Sequence, residues 1–249
     1  MIKKWILRIL AGILLLAIGL IFTAPAEFMV RLLPANAGLN LQGISGRLLS
    51  GEVIQVNYAG ESLQQLTWDL SLTSLLTGKL GSDISVNDPA FRGSLYLEKG
   101  FTETVSVSEI NATQIVSTLA EYYKPLKLLY PEGRLDWEDV SLSMDEKTIH
   151  QASGTIRWKD ATLTINNNLL ALGTININIS DIEGDLLLTI TDENSPLDVR
   201  GKLKLGLDRR YDLQLSLSDN LPANIKNPVL MVARPDGNGR LQLNTKGSL

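Results

Sequence analysis

Cysteine is missing from all 249 residues, so neither disulfides nor thiolate metal sites are available to this chain. Histidine occurs once, as His150 in EKTIHQAS. A single imidazole without thiolates cannot assemble the usual zinc site. A Ser–His–Asp set would have to use that histidine, and the sequence has no G-x-S-x-G nucleophile elbow to go with it. Among polar neighbours, His150 reads as an exposed loop or strand residue. A basic face is missing too. Residues 1–31 hold Lys3, Lys4, Arg8 and Arg31 against Glu27, so the net charge of −4 leaves −7 on residues 32–249. Phosphate backbones are bound by positive charge, so this acidic body argues against nucleic acid as a partner.

Charge of either sign is absent from Ile9 to Ala26, a run of 18 residues. As a helix it would extend about 27 Å, close to the hydrocarbon thickness of a bilayer, with its backbone hydrogen bonds satisfied internally. Lys3, Lys4 and Arg8 precede it, which places the amino terminus in the cytoplasm and everything after Glu27 across the membrane. Trp5 suits an interfacial anchor. Ala24-Pro25-Ala26 has the small-x-small form of a signal-peptidase site, so cleavage after Ala26 is the rival reading. The length of the run and Trp5 favour a retained anchor. The expected organisation is a stub at 1–4, a transmembrane helix at 5–26, a juxtamembrane linker at 27–40 and an exported β-domain at 41–249.

What fills the body is alternation. Tyr211, Leu213, Leu215 and Leu217 occupy every second position, as do Ile175, Ile177 and Ile179, then Leu186, Leu188 and Ile190. Leu197, Val199, Leu203, Leu205 and Leu207 form another stripe, with Gly201 in its middle and Asp208-Arg209-Arg210 as a hairpin connection to Tyr211. Leu66, Trp68, Leu70 and Leu72 alternate earlier, and Leu241 with Leu243 close the chain. Period-2 stripes with Gly, Asn and Asp between them predict a mainly β fold, a long twisted and curled antiparallel sheet of groove-like or sandwich-like form. One or two short helices accompany it. Asn111 and Gln114 suggest a capping box opening ATQIVSTLAEYY, ended by Pro125. Short helical turns are also expected at Ser74-Leu75-Leu76 and after Pro222.

One phrase is written twice. Residues 133–142 read GRLDWEDVSL, and residues 154–163 read GTIRWKDATL. In each, the apolar parity slips by one residue just after the tryptophan. Such a slip is what a β-bulge produces, whereas a two-residue turn at Glu138-Asp139 or Lys159-Asp160 lacks the usual Gly or Asn. Each phrase therefore predicts one long bulged strand, and the repeat is architectural. Trp68, Trp137 and Trp158 lie on apolar stripes, where core packing is the default.

Acidic residues cluster at Asp136, Glu138, Asp139 and at Asp181, Glu183, Asp185. Neither spacing matches a calcium loop, and Gly184 suggests a hairpin turn. Gly43, Gly46 and Gly51 lack the Lys-Ser/Thr ending of a phosphate loop and read as a bend and bulge before a strand at 53–58. The sequons at Asn111 and Asn178 matter only in a glycosylating pathway. No catalytic, cofactor-binding or metal-ligating set emerges.

Taken together, the short stub, the single leading helix, LQGISGRLLSGEV followed by LQQLTWDLSLTSLLTGKL, GTIRW in mid-chain and the closing GNGRLQLNTKGSL resemble type II secretion system protein N, the GspN family. The resemblance implies a non-catalytic accessory subunit in the inner membrane of a Gram-negative bacterium, with residues 41–249 in the periplasm. It implies other secretion subunits, the secretin or the inner-membrane platform, as partners. The glycine-flanked strands are also similar to the AsmA-like lipid-transport group, which implies lipid in an apolar β-groove as the alternative.

Overall fold

The computed structural model describes residues 19, 22–28, 38–58, 61–101, 103–122, 129–165, 168–193, 195, 197–221, 223–230 and 232–248. Most of the expected transmembrane helix at 5–26 lies outside them. Among the described residues no helix is long and apolar enough to cross a membrane. The described residues include fourteen strands and three short helices, divided between two units, Met1–Pro89 and Ala90–Leu249.

The first unit is an antiparallel meander of β1 (Leu39–Gly46), β2 (Ser50–Tyr58), β3 (Glu61–Ser71) and β4 (Lys79–Asn87). LQGISG, expected as a bend, is itself most of a strand. Gly43 takes a φ of +67° within β1, and Gly46 takes +92° at the turn into β2. Both angles suit glycine because no Cβ opposes them. Val53 and Trp68 are buried together, with Leu41, Ile44, Val56, Leu66 and Leu70 packed around them. The Trp68 indole N–H donates to Leu48 O at 3.1 Å, so its one polar atom is satisfied. Leu72, expected in the strand, instead opens helix α1 (Leu72–Leu76), with Ser71 as its N-cap.

Ala26 belongs to the same core and is 1% exposed. Its N–H donates to Gly46 O (3.2 Å), Leu48 N–H donates to Ala24 O (2.9 Å), and Pro25 bridges Arg47. Phe22 and Thr23 are helical and Ala24 is not, as expected where a proline follows. The last three residues of the apolar run are thus non-helical chain fastened to the β1–β2 turn.

The second unit contains β5 (Phe91–Gly100), β6 (Val105–Ile115), β7 (Glu132–Met144), β8 (Ile149–Ile165), β9 (Asn168–Ile182), β10 (Asp185–Glu193), β11 (Arg200–Leu205), β12 (Arg210–Ser218), β13 (Arg234–Pro235) and β14 (Arg240–Ser248). Each of β5 to β11 pairs antiparallel with the next, β12 pairs with β14, and the two-residue β13 lies on β14. Glu183-Gly184, at φ of 53° and 84°, makes the β9–β10 turn, the double-positive geometry that fits the twist of a hairpin.

Both copies of the repeated phrase are long bulged strands, and they pair with each other. Leu135 opposes Trp158 and Trp137 opposes Ile156. The register skips on β7 between Glu138 and Ser141 and on β8 between Trp158 and Ala161, with Asp139 at φ 48° and Asp160 at φ 51°. Trp137 and Trp158, expected in the core, are half-buried.

The helix expected over ATQIVSTLAEYY (112–123), capped by Asn111, is corrected. Residues through Ile115 belong to β6, and α2 covers only Val116–Tyr122. Pairing with both β5 and β7 outweighs the local capping signal. Asn111 caps nothing. Its side chain instead accepts from Asp139 N–H and donates to Asp139 Oδ1, both at 3.1 Å, and so closes the β7 bulge. Helix α3 (Ala223–Leu230) follows Pro222 as expected.

Candidate functional site

Strand register assembles a feature that no single segment displays. Directly opposed residues of antiparallel neighbours share a face, and one such row reads Gly93, Ala112, Trp137, Ile156, Ile177, Ile190, Gly201, Leu215, Leu243. It crosses nine strands without a polar residue. A parallel row reads Gly154, Ile179, Leu188, Leu203, Leu213, and a third holds Leu186, Leu205 and Tyr211.

Only part of this apolar face is covered. Leu197 and Val199, which precede β11 rather than lie within it, pack with Leu221, Val229 and Ala233 over Leu241, Leu215 and Ile190. Leu241 is fully buried there. Arg240 fastens the cover. Its guanidinium donates to Asp198 O at 2.6 Å and to Ser216 O at 3.1 Å, and it pairs with the Asp198 carboxylate. That pairing holds the Asp198 carboxyl below the usual range. Ile179, Leu188, Leu203, Leu213, Leu186 and Leu205 lie outside the buried cluster and stay half-buried.

The polar residues singled out in the sequence are dispersed. His150 is exposed and meets the Asp145 carboxylate at 2.9 Å. Asp145 also accepts the N–H groups of Lys147 and Thr148, which lower its pKa. Asp136 is tied to Lys159 (2.8 Å) and Arg134 (3.0 Å). Partial burial alone would raise its pKa, and these cations more than reverse the effect. Glu138 pairs with Arg157, and Asp181 accepts Ala152 N–H at 2.9 Å. Glu183 and Asp185 both reach Lys204 at 3.2 Å, and these bonds, Asp185 first, raise the lysine's pKa. These carboxylates serve as cross-strand partners. Among the described residues no three His, Asp or Glu side chains converge as metal ligands would.

A depression of about 350 Å³ lies over Arg200, Lys202, Gln214, Gln242 and Asn244, and its lining holds no histidine and no carboxylate. Gly43, Gly46 and Gly51 serve the β1–β2 hairpin. Open edges complete the inventory. Among the described residues the outer edge of β1 pairs with no strand, and β14 beyond Gln242 has a partner only in β12. The sequence shows the stripes of β7 to β12 and β14, with Gly201 inside one of them, but not the extent of the face, because Gly93 and Ala112 are too small to mark a stripe and the β6 segment carries a local helix signal.

The family described as type II secretion system (T2SS), protein N, matches residues 37–244 of this chain. The chain is 28% identical over 230 residues to the type II secretion system protein N of Vibrio cholerae serotype O1, covering 90% of this chain and 91% of that protein. It is 28% identical over 242 residues to the protein of the same name from Aeromonas hydrophila, covering 92% and 93%. No solved structure matches it.

Proposed function

Since this chain belongs to the type II secretion system protein N family, we propose that it is a non-catalytic accessory component of that system, held in the inner membrane by the part of residues 5–26 that precedes Ala24. It supports the export of folded periplasmic proteins through contacts with other secretion subunits. The family match along residues 37–244 carries this reading. The membrane assignment rests on the uncharged run from Ile9 to Ala26 and the cations before it. The dispersal of the polar residues into cross-strand pairs accords with a role that needs no reacting centre. Among the described residues, β1 before Gly46 and β14 beyond Gln242 have an edge without a partner strand, which suits strand addition by a partner.

The apolar face of the second unit favours a second reading. A row without a polar residue crosses nine strands, and the half-buried Ile179, Leu188, Leu203 and Leu213 beside it offer a surface for acyl chains. In that reading the protein carries lipid, with Ile179, Leu188, Leu203 and Leu213 in contact with it.

One experiment separates the two. Full-length chain is captured from detergent-solubilised membranes of cells making the secretion system, and both proteins and lipids are identified by mass spectrometry. Stoichiometric secretin or platform subunits support the first reading. Stoichiometric phospholipid without those subunits supports the second and removes the first.

A further inference from the structure

Helix α1 is turned inside out. Its buried residue is Ser74, hydrogen-bonded to the Ser71 hydroxyl at 3.2 Å, while its leucines face solvent. Leu72, Leu75 and Leu80 are 45%, 42% and 57% exposed, and Leu76 reaches 89%. Four exposed leucines within nine residues form an apolar patch that a water-facing turn would not select. Between Leu70 and Ser82 there is no Asp or Glu, and Lys79 is exposed.

Position gives the patch a meaning. β1 and β2 are joined at Arg47–Leu49, and the same end of the meander carries the connection from β3 to β4 that contains α1. Leu70 N–H donates to Leu49 O at 2.7 Å, and Leu48 N–H donates to Ala24 O at 2.9 Å. Two hydrogen-bond steps therefore link the start of α1 to the point where the 18-residue uncharged run ends. Phe22 and Phe28, both exposed, flank that point. Tyr58 and Ser62 lie at the opposite end of the strands.

We propose that the α1 turn is a second membrane-contacting element, with Leu72, Leu75, Leu76 and Leu80 inserted into the lipid interface beside the place where the leading helix leaves the bilayer. The occupant is the bilayer surface, because the chain's own lipid-soluble run arrives at that end. An amphipathic surface element of this kind buries its apolar side at the headgroup boundary, and Lys79 and Arg47 suit anionic headgroups there. With Ala24–Ala26 fastened to the hairpin, the two contacts would hold the first unit upright on the membrane. The inference rests on the membrane-anchored reading above.

The absence of cysteine makes the test clean. Full-length variants Leu76→Cys, Tyr58→Cys and Leu14→Cys, each labelled with an environment-sensitive dye, are reconstituted in phosphatidylethanolamine–phosphatidylglycerol vesicles containing brominated acyl chains. Leu76 and Tyr58 are solvent-exposed sites, so neither substitution disturbs the core. The expected result is blue-shifted emission and lipid quenching at Leu14 and Leu76, with neither at Tyr58. Quenching at Leu14 without quenching at Leu76 would overturn this inference and leave the anchor intact. Loss of quenching at Leu14 would overturn the anchor, and this inference with it.

Discussion

Gly154 sits directly against Val140: a Cβ added to Gly154 would stand 2.5 Å from the Val140 Cα, and the glycine holds a φ of +124°. The relationship is reciprocal. Gly133, at φ +109°, lies against the other bulge, where its Cβ would stand 2.5 Å from Lys159 O and 2.7 Å from Asp160 O. Each copy of the repeated phrase supplies a glycine to make room for the bulge of the other. Gly154→Ala and Gly133→Ala should each cost about 1–3 kcal/mol from backbone strain alone, with the steric conflict added to it. Urea unfolding checks this, with exposed Gln151→Ala as a control expected within about 0.5 kcal/mol of the parent.

The two tryptophans that face each other diagonally across the same strand pair should respond differently to loss of the indole N–H. Trp158 donates to Glu132 O at 2.8 Å, whereas the buried Trp137 nitrogen has no hydrogen-bond partner among the described residues. Trp158→Phe should therefore be more destabilising than Trp137→Phe by about 1 kcal/mol, the usual net worth of one hydrogen bond. Chemical denaturation of the two variants side by side measures the difference.

Leu241 and Leu203 test how far the cover extends over the apolar face. Leu241 is fully buried, and its truncation to Ala should cost about 2–5 kcal/mol. Leu203→Ala, outside the buried cluster, should cost less than half as much, because its side chain leaves no closed cavity behind. Equal losses would mean that the face is sealed along its whole length.

The Asp198–Arg240 pair predicts an acid limit. The carboxyl is held low in the folded protein, so its contribution is present above the unfolded carboxylate value, about 3.9, and disappears as pH falls through the lower folded value. Asp198→Asn keeps a residue that tolerates the local φ of 44° and removes the charge. The variant should be less stable than the parent at neutral pH, with the gap closing below about pH 4. Unfolding midpoints across that range show whether it does.

Alternation made β2, β3, β9, β10, β12 and β14 legible in the sequence, since Leu and Ile at every second position leave a plain trace. The bulges were legible for the same reason, as a slip in parity after Trp137 and Trp158. β6 was misread because Asn111 and Gln114 satisfy a local helix rule, while the deciding factor is the pairing of that segment with strands distant in sequence. The fastening of Ala24–Ala26 to the β1–β2 turn left no trace, because small residues carry no period. The apolar face follows the same logic: its extent depends on register, and Gly93 and Ala112 look like gaps in the one-dimensional pattern, whereas Gly201 lies inside a legible stripe.

Whether this chain serves protein secretion from the inner membrane is decided by deleting its gene in the native host and assaying a secreted enzyme in medium and periplasm. The enzyme should be retained in the periplasm, with export restored by the full-length chain and not by residues 27–249 exported without the leading run. Undiminished export from the deletion strain would contradict that role.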